Sequence, residues 1–580
     1  MISRSFRSKN GPGLVLMFIG LLWFGALHLR ALDRYVVEPG TIAGGNGGVY
    51  SDWSIAATQI QWAVDASTNA SDTIWVSNGT YVLTNQIVVI SNIVLQSTNG
   101  PEVTIVNGGF VAGLTDATTN NRCLYLSNLS ALVSGFTFSN GAVCATGGAG
   151  VWIGAGTLSN CTVRDNTAFN LTNTTGSISG GGIFMKPRGT VTTCRVFGNI
   201  VTNGTTALYG GGAGICTPAY DTTPRAIINC LVSNNIIKGV TDSRSGGGIN
   251  AYSTIIRSCM ICNNDITPGG IGGGVYMRWY STLESSTLTL NRASSGAGCY
   301  LAGGIISNCV ISYNYISDAD SGGGINVLPE ISYMYARVLN TTITGNTNTG
   351  VRMSNYSSGT NQMINCIIES NANFGLVIRS GAANTLNIVS NCVVRRNKAG
   401  VRCYNTWDTY IRNCLIVNNY ATNNNYGGLY FGSSSCTNVY VSGCTIASNW
   451  TTNYGAGLRF ESTNAQVLLS SCIIYSNGIG GTNDLYDDSA PTNYGKLQYS
   501  CAGTNPGFNG AGIIVTNPQF VSLTGADFRL SANSPCINAG SNEPWMTNAV
   551  DLDGRARICY GTVDMGAYEK VCEGTVYGFQ

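Results

Sequence analysis

Five charged residues recur shortly after a repeated asparagine, and their types suit acid–base work on a polymer. Asp242, Asp265, Arg292, Asp318 and Asp320 follow Asn235, Asn264, Asn291 and Asn314, with Arg244 beside the first. Asp265 and Arg292 each stand one residue after their asparagine, so equivalent positions would nearly superpose. Carboxylates placed this way could hold calcium and neutralise an acidic chain while an arginine helps to remove a proton. The plainer role is that of solvated turn residues.

A second set falls at matching places in another recurring segment. It comprises Trp152, Phe184, Tyr252, Tyr276, Arg278, Tyr300, Arg352, Arg379, Arg402, Tyr404, Tyr430 and Arg459, with Lys186 alongside. Aromatic faces suit sugar rings, and guanidinium forks suit carboxylates or sulfates. Between residues 352 and 412, seven basic side chains stand against Glu369 and Asp408, which fits a long acidic polysaccharide. Stacked aromatics and β-branched residues also stabilise parallel strands with no ligand at all.

Two further acidic groups are weaker candidates. Asp484, Asp487 and Asp488 could supply a carboxylate pair for glycoside hydrolysis, which needs a separation of about 5 to 9 Å. Asp551 to Gly554 begins like a calcium loop but lacks its later ligands. Calcium is the only cofactor that the residues suggest. His28 is the sole histidine and lies in the first 31 residues, so a mature chain without them has no imidazole triad or histidine metal site.

What positions these residues is a repeat. Residues 227–253 hold two short apolar runs: Cys230 leads to Asn235, and Gly246-Gly247-Gly248 opens onto Ile249. The first run returns with Cys161 and Asn166, Cys194 and Asn199, Cys259 and Asn264, Cys309 and Asn314, and so on to Cys472 and Asn477. Gly135, Ser286 and Thr341 take the cysteine slot in three copies. Copies lie about 22 to 36 residues apart, the period of a stacked solenoid. The runs are short, alternating and rich in Val, Ile and Thr, which is strand chemistry. Strands that return in one orientation pair in parallel, coil on coil, about 4.8 Å apart. Val151, Ile183, Ile215, Ile249, Val275, Cys299, Ile325, Val351, Leu376, Val401, Leu429 and Leu458 then point inward. The next residue in each strand points outward, which gives an exposed stripe running from Trp152 to Arg459.

The glycine-led and asparagine-terminated runs resemble the right-handed parallel β-helix, or pectin-lyase-like, superfamily of secreted bacterial proteins. The paired motifs are also similar to the repeats of polymorphic outer-membrane proteins, although no run of membrane-barrel strands follows. The resemblance implies an all-β right-handed parallel β-helix. It does not imply one activity, since the scaffold carries lyases, hydrolases, adhesins and inert fibres. Residues 517–569 resemble a C-terminal segment common on bacterial surface β-helix proteins.

Composition agrees. Glycine is 75 of 580 residues, nearly twice the usual ~7%, as repeated corners require. A net charge of +2 with no basic arm leaves nucleic acid without a docking surface. Arg4, Arg7 and Lys9 followed by an apolar run over 13–27 read as an export signal, too short to span a bilayer. Of 21 cysteines, ten fall on the interior ladder as packing thiols; among those outside it, Cys536, Cys559 and Cys572 are the better disulfide candidates.

The expected division is a signal peptide at 1–31, an N-terminal cap with the first coils at 32–109, β-helix repeats at 110–480, and a C-terminal cap or surface-association segment at 481–580. In the cap, residues 55–66 have a helical apolar spacing. The expected function is binding of extracellular acidic polysaccharide at the cell surface, in the periplasm or outside the cell. Membrane contact is expected only through the export signal. The alternatives are a calcium-assisted lyase or a hydrolase on uronic-acid polymers, and an adhesin or passive rod.

Overall fold

The computed structural model describes residues 31–570 apart from 41–47, 111–120, 145, 170–178, 203–210, 219–221, 240–245, 267, 319–320, 330–334, 356–357, 382–384, 423–425, 433–435, 453–454, 462–465, 479–483, 488–494 and 504–509. Four strand positions recur in each central coil. One coil runs through Ile249–Tyr252, Thr254–Arg257, Met260–Cys262 and Asp265–Ile266, and the next begins at Val275–Arg278. Each strand pairs in parallel with its equivalent one coil on, so the chain forms four columns. The first two columns share one 30-stranded sheet, joined where Leu124–Ser134 and Val151–Ser159 run through both. The third column is a 16-stranded sheet and the fourth a 7-stranded one.

Sharp corners separate the columns. The residue before the cysteine slot and the residue before the asparagine take left-handed backbone angles, as at Ser258 (φ 54°) and Asn263 (φ 55°). Small or amide side chains tolerate that conformation best. Glycine is needed where coils touch: a Cβ on Gly248 would sit 2.7 Å from the Gly274 carbonyl and 2.9 Å from Asn264 Nδ2.

The interior is apolar with two polar spines. Asn264 donates its backbone N–H (3.1 Å) and its Nδ2 (3.0 Å) to Asn291 Oδ1, and Nδ2 also donates to the Val232 carbonyl (3.0 Å). The same pattern repeats from Asn166 to Asn477, all within the core. Asp484, expected in an acidic cluster, instead ends this spine. Its Oδ1 accepts from Asn477 N (2.7 Å) and Nδ2 (2.8 Å). A terminal acceptor needs no onward donor, so a carboxyl group can replace the amide there. Burial pushes the Asp484 carboxyl up to about 6.

The cysteine slot forms the other spine. Cys259 Sγ donates to the Arg257 carbonyl (3.2 Å), and Ser286 Oγ fills the same slot one coil on, accepting from Cys259 N (3.0 Å). These thiols are free and buried. Burial raises Cys309 to about 11, so that thiol stays protonated. Cys559 is disulfide-bonded, and Cys572 lies outside the described residues. Cys536 is a free thiol packed against Cys501 rather than a disulfide partner.

Both ends of the chain depart from expectation in detail. The N-terminal helix spans Ile60–Ala66 and buries Ile60, Ala63 and Val64, whereas Ile55 belongs to an exposed turn at Trp53–Ile55. Gln61 closes the free edge of Ile87–Val89, accepting from Val88 N (2.7 Å) and donating to its carbonyl (3.3 Å). The segment after residue 517 was expected over the last coil. It lies instead along the outer side of the later coils, with Phe528 in one cluster with Leu415, Val417 and Ala447. Trp545 Nε1 donates to Ser442 Oγ (2.9 Å), and Ala567 N to Thr445 Oγ1 (2.9 Å). The Asp551 carboxylate is already occupied by the backbone N–H groups of Asp553, Arg555 and Glu569, so that loop is a closed turn.

Candidate binding face

The register expected for the first column holds at every described coil. Val151 pairs with Ile183, then Ile215, Ile249, Val275, Cys299, Ile325, Val351, Leu376, Val401, Leu429 and Leu458 in one unbroken row. All are buried. The outward row follows the same pairings, from Trp152 through Phe184, Tyr276, Tyr300, Arg352, Arg402 and Tyr430 to Arg459.

Outward does not mean wet, and here the stripe differs from the expectation. Tyr252, Tyr276, Tyr300, Tyr430 and Arg459 are buried, with Tyr276 at 0% exposure. Trp152, Phe184, Arg278, Arg352, Arg379, Arg402 and Tyr404 are half-buried. The row divides into three sets of different chemistry.

In the earliest coils, aromatic rings spend their faces on one another. Tyr125 and Trp152 stack at 4.4 Å between centroids with planes 4° apart, and Phe184 follows at 6.4 Å. Lys186 Nζ lies 5.6 Å from the Trp152 ring. In the middle coils, Tyr252, Tyr276 and Tyr300 close into an apolar cluster with Trp279, Ile271 and Leu328. Arg278 lies against Tyr252, 5.7 Å from its ring.

The later coils carry charge. The Arg402 guanidinium lies 4.3 Å from the Tyr404 ring centroid and 5.7 Å from those of Phe374 and Tyr430. Its Nε has no hydrogen-bond partner among the described residues. Arg379 packs against Tyr404 at 5.5 Å, and Arg352 Nε donates to Ser354 Oγ (3.1 Å). At the far edge the Tyr430 hydroxyl donates to Glu461, whose other oxygen lies 3.6 Å from Arg459. Glu461 and Phe374 were not picked out from the sequence. Glu461 falls two residues after Arg459, the same outward alternation that marked Arg379 and Tyr404, so the signal was present.

The other basic residues of this stretch face elsewhere. Arg395 pairs with Glu369 at 2.7 Å on the third column, and Arg412 lies over Tyr410 beside Trp545.

The proposed acid–base cluster is only partly brought together. Asp265 and Arg292 are register partners in the fourth column, as their spacing implied. The Arg292 guanidinium turns to the Tyr315 ring, 4.9 Å away. Asp318 is exposed in the following turn, where its N–H donates to the Ser294 carbonyl (3.3 Å). Asp242 and Asp320 lie outside the described residues. Among the described residues no three carboxylates, thiols or imidazoles gather as a metal site. No helix among them is long and apolar enough to cross a membrane.

A family model described as "Right handed beta helix region" matches residues 254–416. No curated protein matches the chain. Among solved structures it is similar to pectate lyase Pel9A, at 13% identity over 93% of this chain and 98% of that one, with a TM-score of 0.31. It is also similar to the A-module of the Azotobacter vinelandii mannuronan C-5 epimerase AlgE6, at 13% identity over 79% and 95%, with a TM-score of 0.29. Likeness at this level bears on no activity.

Proposed function

We propose that this right-handed parallel β-helix is an exported protein that binds an acidic extracellular polysaccharide on the outer face of its first column, over residues 352–461. The observation that carries the reading is Arg402. Three aromatic rings hold its guanidinium in place, which reduces the entropy lost when it engages an anion. Arg379 and Arg352 occupy the two preceding coils of the same face. A guanidinium fork matches a carboxylate or sulfate bidentately, and the aromatic rim excludes water from the contact.

Retention of the mature protein on an array of uronic-acid and sulfated glycans tests this reading. Binding that Arg402→Gln lowers by tenfold or more, with the cooperative fold retained, is the expected result. No binding, or binding indifferent to the substitution, removes it. Assay of the same polymers for unsaturated product, with and without calcium, separates binding from lyase action. Product that disappears in Asp265→Ala would make the fourth-column pair the active centre instead.

A further inference from the structure

The segment after residue 517 is held against the coils by small apolar clusters and single hydrogen bonds, and one of its contacts has covalent chemistry of its own. Leu415, Thr445, Ile473 and Cys501 form one outward row of the third column, in register from coil to coil. Cys501 ends that row. Cys536, on the segment, packs against it in a cluster with Ile473, Leu530 and Met565. The two thiols hydrogen-bond to each other, and Cys501 Sγ also donates to the Thr516 carbonyl (3.3 Å). The backbone fixes both residues. Cys501 N donates to the Cys472 carbonyl (2.9 Å), and the Cys536 carbonyl accepts from Met565 N (3.0 Å).

This pair differs from the interior ladder. Neighbouring rungs such as Cys444 and Cys472 stand in parallel on successive coils about 4.8 Å apart, wider than the ~3.5–4.5 Å between the Cβ atoms of a disulfide. Cys501 and Cys536 come instead from two segments that face each other, so no strand spacing holds them apart. Cys559, on the same segment, is disulfide-bonded, so the segment already belongs where disulfides persist.

We infer that Cys501 and Cys536 are a redox pair, free in this structure, which an external disulfide oxidises to a bond that locks the segment onto the last coil. The oxidant is a low-molecular-weight disulfide, RSSR. The Cys536 thiolate attacks one of its sulfurs and expels RS⁻, which leaves a mixed disulfide on the segment. The Cys501 thiolate then attacks Cys536 Sγ, forms the protein S–S bond and expels the second RS⁻. The two protons lost by the protein thiols end on two RSH, and two electrons pass from the protein to RSSR. Both cysteines have 0% exposure with the segment docked. Exchange therefore takes place as the segment folds down, and the finished bond is shielded from reductant. Nothing in this inference depends on the glycan reading.

Peptide mapping tests it on the full chain, incubated with glutathione disulfide in sub-denaturing urea, alkylated, and digested with trypsin without reductant. Trypsin leaves Cys501 as the one cysteine of residues 497–529 and Cys536 as the one cysteine of residues 530–555. The expected product holds both peptides, is two hydrogens lighter than their sum, and is separated by dithiothreitol. Limited proteolysis gives a second readout. In the oxidised protein the segment should be digested about tenfold more slowly than in Cys501→Ser, and Cys536→Ser and the double variant should match Cys501→Ser, since either substitution removes the whole bond. No substitution touches Cys559, so its bond is common to every sample. The idea is overturned if the two peptides are recovered unlinked, or if either cysteine is joined to a different one. It is also overturned if oxidised wild type and Cys501→Ser are digested at the same rate, or if the double variant is digested faster than the single ones.

Discussion

Tyr276 and Arg402 occupy the same row of the same sheet, several coils apart, and point the same way. Tyr276 is sealed under Tyr252, Tyr300, Trp279 and Leu328, whereas Arg402 sits half-open on a rim of aromatic rings. A β-helix strand sets the direction of a side chain, but the loops and neighbouring rows set its access to water. The middle of the row is thus a second, external hydrophobic core. The later part is a surface whose positive charges are held in place by that same kind of aromatic packing.

The comparison breaks most visibly on Tyr276→Ala. Emptying a fully buried aromatic site should cost about 3–5 kcal/mol of stability. A denaturant midpoint shift that large, with glycan retention per folded molecule unchanged, is the expected outcome. Retention lost with little change in midpoint would place the ligand on the tyrosine set instead.

The next largest effect is one of pH, and it touches only the later part of the row. The Leu458 N–H donates to the Asp484 carbonyl, so the coil carrying Arg459 rests on the residue that ends the asparagine spine. Burial raises the Asp484 carboxyl to about 6 from its ordinary 3.8. Between those values the folded chain keeps a proton that the unfolded chain has released. Stability is therefore lost as pH rises from about 4 through about 6, by an order of 2–3 kcal/mol. Hydrogen exchange corrected for intrinsic rates should show residues 458–460 opening more readily at pH 7 than at pH 5, with residues 275–278 unaffected. Asp484→Asn should remove the difference, and equal opening in both regions would defeat the assignment.

Smaller again is the cost of Arg402→Gln. Losing one charge-assisted contact should weaken polyanion binding by about 1.5–3 kcal/mol. Stability should fall by about 1 kcal/mol as the cation–π contacts with the rings are lost, well short of the Tyr276→Ala cost. Smallest is the response to salt. Raising ionic strength shortens the screening length and should lower polyanion retention progressively, with no effect on folding of the tyrosine cluster.

Legibility was uneven along the chain for a physical reason. Register, direction and spine membership follow from a fixed repeat, because a parallel solenoid superposes equivalent positions. Asn264 bonding to Asn291, Asp265 aligning with Arg292, and Ile249 facing inward were therefore all readable. The fate of Asp484 was not, because its role depends on being the last rung. The outward direction of Glu461 was readable from the same alternation, but its pairing with the Tyr430 hydroxyl on the preceding coil was not.

Sequence periodicity alone determined that the chain is an all-β parallel β-helix, with apolar residues sheltered on each strand and asparagine stacked at one corner. Those are properties of nearest-neighbour coils, and every copy repeats them. Only the tertiary structure decided which outward residues meet solvent and that the segment after residue 517 lies alongside the coils. Each of those depends on loops and on chain segments far apart in the sequence, whose packing no single repeat encodes.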